Sequence, residues 1–505
     1  MVKTTGNVMR SRIVNRGLLA NFQGLYKRRF ASQSHVSEKL SLILAPETTK
    51  ESVTERLDQH LGTASKNLRL EEVKGANHGA AIVASQQFTT WLDDDAFMSS
   101  LLKTLFKSTA NGQSQPQDID VLTAVTNSIA PKRLLGEPQT GFSILYGSAA
   151  RILPELWNRD TFGSNVDQDR ASSISFLSGP LSGDTRPLEI TLPLANTIFH
   201  NGRTSTLFAS RWQRGADRSL TLTKMDEKHS QTILPGRASS HHTSSLLPLL
   251  PLTPPRKVVA GLGNIVRQVE VDGSPTPASK ELEILIPEVL DARSNQHGES
   301  SPGPIGVWCW VVPPHVVEAQ GLRDLKVFQD GSSTSEAELA LSAMDAFSRL
   351  LSSGCRLHKI LSGGGGWGAK QGLLSLDPET IYKYPDEESL DMFIRSFNEP
   401  DNSEISESLI TPGSYVIFCI EPHWTSKDVE ASQMLGPVTA IGVDPNKEIE
   451  LYSNSVPGVV EIVDGHFGAF STAGLFLKAQ ESASIITTPQ PFTTKVDASR
   501  ACFLI

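Results

Sequence analysis

The order of strand-like and helix-like segments constrains the fold of this chain more than any other feature of its sequence. Short runs of branched and aromatic residues, clearest at 305–312, predict strands. Amphipathic helices lie between them, and the best defined is 335–354, where Ser335 and Glu338 form a capping-box pattern. The two kinds of segment alternate without the regular rhythm of a parallel sheet. The sequence therefore predicts an α+β fold.

A low-complexity segment at 239–256 divides the sequence into two predicted lobes, 32–238 and 257–505. Each lobe is expected to hold a mixed sheet with peripheral helices. The segment is rich in Ser and Pro, and its prolines favour extended polyproline II geometry. It is either a linker between the lobes or an excursion from one of them, and the sequence leaves both open.

Finer predictions follow from periodicity and turn residues. A helical pattern runs over 35–61 and is broken at Pro46. A turn is predicted over 465–468, and Asn264 is expected in the left-handed position of a hairpin turn. Further helices are predicted at 95–106 and 386–397, and strands at 79–85, 118–125, 142–146, 174–177, 188–192, 205–212, 220–223, 257–269, 373–376, 414–421, 438–443, 459–463 and 474–478.

The Gly-rich loop at 362–372 is the strongest candidate site. Glycines allow backbone N–H groups to turn towards an anion, a neighbouring indole can stack on a ring, and a cation can neutralise a phosphate or carboxylate. The alternative is a structural bend between the lobes. The candidate ligand-binding residues are Gly363, Gly364, Gly365, Gly366, Trp367, Gly368, Lys370 and Arg356.

Two familiar phosphate-binding motifs do not fit this loop. A P-loop needs Lys followed by Ser or Thr, whereas Gln371 follows Lys370. A dinucleotide-binding loop should open a helix, whereas 373–376 is strand-like. The scattered cysteines and single histidines predict no metal site, and the sequence identifies no cofactor. Cys355, beside the loop, is a minor candidate for a reactive thiol.

Three weaker candidates have ordinary structural explanations. Arg267 follows the hairpin turn and can reach a carboxylate, but an ordinary hairpin with a surface arginine is the favoured explanation. Asn196, His200 and Arg203 cluster near a turn at Asn201-Gly202, which accounts for most of that pattern. Single histidines at 358 and 466 have no partner visible in the sequence, and such histidines are more often structural.

Residues 1–31 have the composition of a mitochondrial transit peptide. They contain seven basic side chains and no Asp or Glu, and the first acidic residue is Glu38. Wound as a helix, Val14, Leu18 and Phe22 form an apolar stripe. A membrane potential that is negative inside draws such a segment inward. The sequence predicts a disordered cationic presequence and a matrix location, with a basic tail as the alternative.

The charge balance limits the possible partners. Formal net charge is −9, and without the first 31 residues 39 basic residues face 55 acidic ones, which gives −16. An acidic body disfavours nucleic acid unless it carries a local basic patch. No window has the length of uncharged apolar residues that a membrane span needs.

Part of the sequence resembles the amino-terminal half of the FIST family (F-box and intracellular signal transduction domain). The resemblance covers about 80–285 and ends there, and the Pro-rich segment interrupts it. It implies a ligand-sensing or scaffolding module. The residues that carry it are Gly263-Asn264-Ile265-Val266, Asp272-Gly273, Pro277-Ala278 and Gly179-Pro180-Leu181-Ser182-Gly183-Asp184, with the strand-like segment 118–126.

The expected function is binding of a small anionic ligand or a matrix protein partner, as a sensor, scaffold or assembly factor. One alternative is an enzyme acting on a phosphorylated or carboxylated metabolite, with Lys370 as electrostatic stabiliser and His358 or His466 as acid–base group. A second is a mitochondrial translation or RNA-associated factor, which the acidic body disfavours. The sequence assigns no catalytic residue securely.

Overall fold

The structure of the chain is a computed structural model, and it confirms the α+β class. The described residues are 37–64, 77–107, 118–158, 172–181, 186–215, 219–236, 242–297, 305–329, 331–332, 334–363, 372–382, 409–445, 458–479 and 492–505. The predicted presequence at 1–31 and the predicted helix at 386–397 lie outside these ranges.

Helices and strands follow one another along the chain in mixed order. The helices are α1 (Lys50–Ala64), α2 (Thr89–Leu92), α3 (Asp95–Leu105), α4 (Ala149–Ile152), α5 (Ile198–Asn201), α6 (Lys280–His297), α7 (Pro314–Ala319), α8 (Glu336–Ser352) and α9 (Ser426–Ala431). The strands are β1 (Ser37–Leu44), β2 (His78–Ser85), β3 (Asp118–Thr126), β4 (Gly141–Ser148), β5 (Ser173–Ser178), β6 (Leu188–Pro193), β7 (Leu207–Arg214), β8 (Leu220–Glu227), β9 (Ser230–Ile233), β10 (Ser244–Leu246), β11 (Leu250–Pro251), β12 (Arg256–Leu262), β13 (Ile265–Val271), β14 (Ser274–Pro277), β15 (Val307–Val312), β16 (Arg356–Gly363), β17 (Leu374–Leu376), β18 (Tyr415–Ile420), β19 (Val438–Val443), β20 (Val460–Asp464), β21 (His466–Ser471), β22 (Leu475–Ala479), β23 (Thr493–Val496) and β24 (Cys502–Leu504).

The first sheet has seven strands in the order β20-β1-β4-β2-β3-β7-β8. Its strands are antiparallel except that β2 runs parallel to β3. Helices α1 and α3 cover one face, where Leu57 and Leu101 are fully buried against Leu42 and Ile82 of the sheet. This face is therefore a core of its own, built from alternate residues of each strand.

An eight-stranded sheet holds the flanks of the Gly-rich loop. Strand β18 pairs with both β12 and β15, so six antiparallel strands close on themselves in the order β18-β12-β13-β17-β16-β15. We call this the closed sheet. One face packs with α6 around Val266 and Phe418. On the other face, Trp310 and Leu357 join the largest core of the protein, where Trp310 stacks on Phe347 of α8 at a centroid distance of 5.6 Å.

Strand pairs connect the two predicted lobes. In the first sheet β20 pairs with β1, and in a five-stranded sheet β22 pairs with β6. The remaining sheet joins β10 to β24 and β19. The lobe boundary at 239–256 stays a prediction, although these hydrogen-bonded pairs cross it. The described part of that segment is not an exposed linker, because Leu247, Leu249 and Leu250 are fully buried.

Two local predictions are wrong. The first half of the helical pattern at 35–61 is strand β1, whereas the second half is helix α1. Leu40, Leu42 and Leu44 are buried with a period of two, which is the strand period. The predicted turn over 465–468 holds only at Gly465, because His466–Ser471 is a buried strand that runs parallel to β19.

Candidate functional site

The described ends of the Gly-rich loop lie on a hairpin of the closed sheet. Gly363 ends β16 and is exposed, and β17 begins two residues after Gly372. The strand predicted at 373–376 is confirmed, so the loop does not open a helix. The backbone N–H of Ser279, just before α6, donates to the Gly372 carbonyl at 3.2 Å. The loop therefore returns to the sheet beside the start of α6.

Most of the predicted ligand-binding residues fall outside the described residues. These are Gly364, Gly365, Gly366, Trp367, Gly368 and Lys370. Their role as a ligand site stays a prediction.

Arg356 and Gly363 are not brought together. Arg356 begins β16 and Gly363 ends it. Seven residue steps of extended strand separate them by about 23 Å, slightly less because of the irregularity near Ile360. A small ligand held at Gly363 is out of reach of the Arg356 guanidinium. The sequence analysis did not predict strand β16 between the helix at 335–354 and the loop. The grouping of the two residues in one site stays a prediction, since 364–371 lie outside the described residues.

Exposed apolar side chains lie beside the described loop ends. Leu262, at the tip of the β12–β13 hairpin, is 76 % exposed, and Leu361 on β16 is 58 % exposed. Leu262 lies opposite Ile265, Ile265 lies opposite Ser375, and Ser375 lies opposite the neighbour of Leu361. Leu262 and Ser362 therefore end the same row across four strands, and Leu361 is the extra residue at the irregularity beside Ser362. Because the six strands close, β12 and β16 lie on opposite sides of the closed sheet, so the two leucines do not form one continuous patch.

Basic side chains accompany these leucines on the outside of the closed sheet. Lys257, Arg267 and Lys359 are all exposed. Lys359 is two residues after Leu357, which faces the large core, so strand alternation places both on the outer face. Lys257 precedes Val258, which faces inward, and therefore also lies outside. We call Lys257, Arg267 and Lys359, with the two exposed leucines, the basic–apolar face. In the closed order β12 and β16 are three strands apart in either direction, so Lys257 lies on the opposite side of the closed sheet from Lys359, whereas Arg267 on β13 is only two strands from Lys359.

The three cations of this face have no ion-pair partner among the described residues. Two other cations of this region do have ion-pair partners. Arg256, on the inner face, pairs with Glu281 of α6 at 2.6 Å. Lys495 pairs with Asp377 at 3.0 Å and with Glu379 at 2.7 Å. The basic–apolar face is therefore the part of this region whose positive charge remains open to a ligand.

The hairpin predicted around Gly-Leu-Gly-Asn is confirmed, but its left-handed residue is Gly263, with φ of 60°, rather than Asn264. The Asn264 side chain donates instead to the Leu376 carbonyl at 2.7 Å. This bond links the β12–β13 hairpin to β17. It therefore fixes the position of Leu262 relative to the Gly-rich loop.

His358 and His466 are buried and hydrogen-bonded. His358 Nδ1 lies 2.8 Å from the Asp377 carbonyl, and burial lowers the pKa of its ring. His466 Nδ1 lies 2.9 Å from Ser41 Oγ, and burial lowers its pKa to about 4, with Lys39 acting in the same direction. Both rings are therefore neutral at pH 7 and above, and each makes a hydrogen bond inside the protein.

The cluster at 194–203 is structural. A helical turn, Ile198–Asn201, is closed by Gly202 in the left-handed region. Asn196 Oδ1 accepts from the Ile198 N–H at 2.9 Å, and Arg203 pairs with Glu227 at 3.3 Å. His200 is exposed at the surface of the turn. These contacts leave no acid–base arrangement around His200 among the described side chains.

Cys355 is an inert thiol rather than a reactive one. Its side chain is buried, and burial raises its pKa to about 12. At neutral pH almost none of it is thiolate, the nucleophilic form. Within the described ranges, no group of three His, Cys, Asp or Glu side chains could hold a metal ion.

Comparisons with protein-family models, curated proteins and solved structures give no match. The FIST resemblance therefore stays a prediction. Of the segments on which it rests, Gly263, Asp272 and Gly273 have positive φ, and 182–184 lie outside the described residues. Among the described helices, none combines the length and apolar character needed to cross a bilayer.

Proposed function

We propose that this chain is a non-catalytic binding protein of the mitochondrial matrix and that its basic–apolar face takes an anionic ligand or the acidic surface of a protein partner. The observation that carries the proposal is the set of exposed cations without ion-pair partners beside two exposed leucines. Without residues 1–31 the chain has a formal net charge of −16, so a group of cations that have no ion-pair partner is unusual on its surface. Cations and exposed apolar groups together are typical of binding surfaces.

The acids around this face determine which cations matter most. Asp377 and Glu379 are held by Lys495, which offsets part of their charge. Glu270 is exposed on β13, and the register that sets Val258 opposite Val269 places Glu270 opposite Lys257, so it offsets part of the positive charge there. Arg267 and Lys359, which lie two strands apart, are therefore the better residues to test.

The enzyme alternative receives less support from the described residues. Its proposed acid–base groups, His358 and His466, are both buried and carry internal hydrogen bonds. A general base must come within hydrogen-bond reach of the proton that it takes from the substrate. Their burial keeps a substrate from meeting that requirement.

Reversing the charge of Arg267 and Lys359 should abolish anion binding. In an Arg267→Glu/Lys359→Glu variant we expect the affinity for ATP or poly-glutamate to fall at least about tenfold, because two attractions become repulsions. Wild-type binding should weaken as salt rises. The measurement is a thermal shift series over ligand and salt concentration, since a ligand that binds only the folded state raises its stability.

A matched control separates the face from net charge. Lys103 and Lys427 are exposed on α3 and α9, and the double reversal Lys103→Glu/Lys427→Glu changes net charge equally. This control should bind like wild type. Equal loss in both variants, or no loss in either, would contradict a site on the basic–apolar face.

The matrix location has its own test. We expect residues 1–33 fused to a fluorescent protein to enter mitochondria and to be shortened there, because the segment is cationic and lacks acids. Replacing Arg28 and Arg29 by Glu should keep the fusion in the cytosol. Import of the reversed fusion, or no import of the unchanged one, would remove the matrix from the proposal.

A further inference from the structure

Strand β8 forms one edge of the first sheet. Among the described residues it pairs with β7 alone, so its outer backbone groups are available to another strand. Along its second half the side chains are exposed: Met225 is 54 % exposed, and Lys224 and Asp226 are 46 % and 47 % exposed. An edge of this kind can pair with a strand of another chain.

The regular part of this edge is short. The β7–β8 register shifts between Arg211, opposite Lys224, and Trp212, opposite Leu222, so Thr223 is the extra residue of a bulge. Beyond the bulge, Lys224 and Asp226 point to one face and Met225 to the other. Lys224 Nζ lies 2.7 Å from Asp226 Oδ2 and 4.0 Å from the centroid of the Trp157 ring.

The charges of this edge complement a second copy of the same edge in one register. A two-fold axis perpendicular to the sheet keeps each side chain on the same face of the sheet. Residues directly opposite each other in an antiparallel pair point to the same face, so the axis must lie at a residue that stands opposite its own copy. An axis at Lys224 or at Asp226 opposes like charges. An axis at Met225 places each Lys224 opposite Asp226 of the second copy and sets the two Met225 side chains together.

We propose that β8 is a self-association surface, where two copies of this chain pair their edges antiparallel about Met225 and extend two seven-stranded sheets into one. Each Lys224 then exchanges its own Asp226 for that of the other copy, so no charge is left without a partner. Because so few residues pair, the contact lies at the small end of specific interfaces, and we expect a reversible dimer rather than an obligate one.

Charge exchange across the pair gives a test. We expect wild type to pass from monomer to dimer in sedimentation velocity as concentration rises to about 500 μM, a range suited to a small interface. Lys224→Asp and Asp226→Lys should each remain monomeric, because the axis then opposes like charges. Mixed together, these two variants should form a heterodimer, and the double variant K224D/D226K should regain the homodimer.

Other outcomes overturn the proposal. A wild type that stays monomeric over that range sinks it, and so does a dimer that both single variants retain, because the contact would then lie elsewhere. Circular dichroism and the melting temperature show whether each variant is folded. A variant that fails to fold is replaced by Met225→Lys, which places two ammonium groups at the axis and should likewise prevent the dimer.

Discussion

Replacing Gly141 by alanine should lower the free energy of unfolding by about 3–5 kcal/mol, the combined cost of a strained backbone and an overpacked site. Gly141 begins β4 with φ of 137°, a region that other residues rarely adopt. An added Cβ would lie 1.9 Å from the Leu42 carbonyl oxygen on β1. The strand pair β1–β4 must therefore separate locally to admit it. Urea unfolding followed by circular dichroism measures the loss.

Gly263→Ala is the matched control for this change. Gly263 also has a positive φ, of 60°, but nothing lies within 4 Å of an added Cβ. It should lose only about 1–2 kcal/mol, the cost of the left-handed backbone alone. Equal losses at the two positions would show that close approach of β1 does not govern the requirement at Gly141.

The same β1–β4 pair shows what sequence reasoning can and cannot reach. The strand at 142–146 was predicted correctly because a compact apolar run lies before a turn. A helix was predicted over strand β1 because Ile43 lies between Leu42 and Leu44, so that the alternation of apolar and polar residues is not visible in the sequence. The pairing with β4 and β20 decides that segment, and neither partner is near in sequence. Tertiary pairing thus overrides a local pattern.

The candidate site was found only in part. The run of glycines identified the loop as a candidate site, and the strand after it was predicted. Lys257 and Lys359 were not predicted as site residues. Nothing local marks a surface lysine as unpaired, because its possible acid partners come from distant segments. Lys495, for example, reaches Asp377 across 118 positions. A basic face is a property of the assembled sheet and appears in the sequence only as scattered charges.

The sequence analysis favoured a structural role for His466 only because single histidines are usually structural, and it did not predict the partner of the ring. Its ring meets Ser41, which lies 425 positions away, and Ser41 also contacts Ser143 Oγ at 2.9 Å. Ser41 lies between Leu40 and Leu42 of β1 and points to the opposite face of the sheet, where it is also fully buried. This polar contact between Ser41 and His466 therefore joins the first sheet to β21 at a place where apolar side chains would otherwise meet. The spacing of apolar residues along the sequence does not predict it.

Burial of His466 should make the protein acid-sensitive between pH 6.5 and pH 4. The folded-state pKa of about 4 lies below the ordinary value of 6.5, so in this window the unfolded chain binds more protons than the folded one. Stability contributed by the neutral ring is therefore complete above pH 6.5 and is lost as pH falls. The shift corresponds to about 3 kcal/mol.

His466→Asn isolates this contribution, since its amide can still meet Ser41 while it does not titrate. We expect wild type to lose about 3 kcal/mol more than the variant between pH 6.5 and pH 4 in urea unfolding at each pH. His358, whose pKa burial also lowers, and the carboxylates titrate in both proteins and cancel in the difference. The exposed His200 supplies the control, because His200→Asn should follow the wild-type curve. Parallel curves for wild type and His466→Asn would mean that the ring is protonated without cost, and that the seam between β1 and β21 opens readily to water.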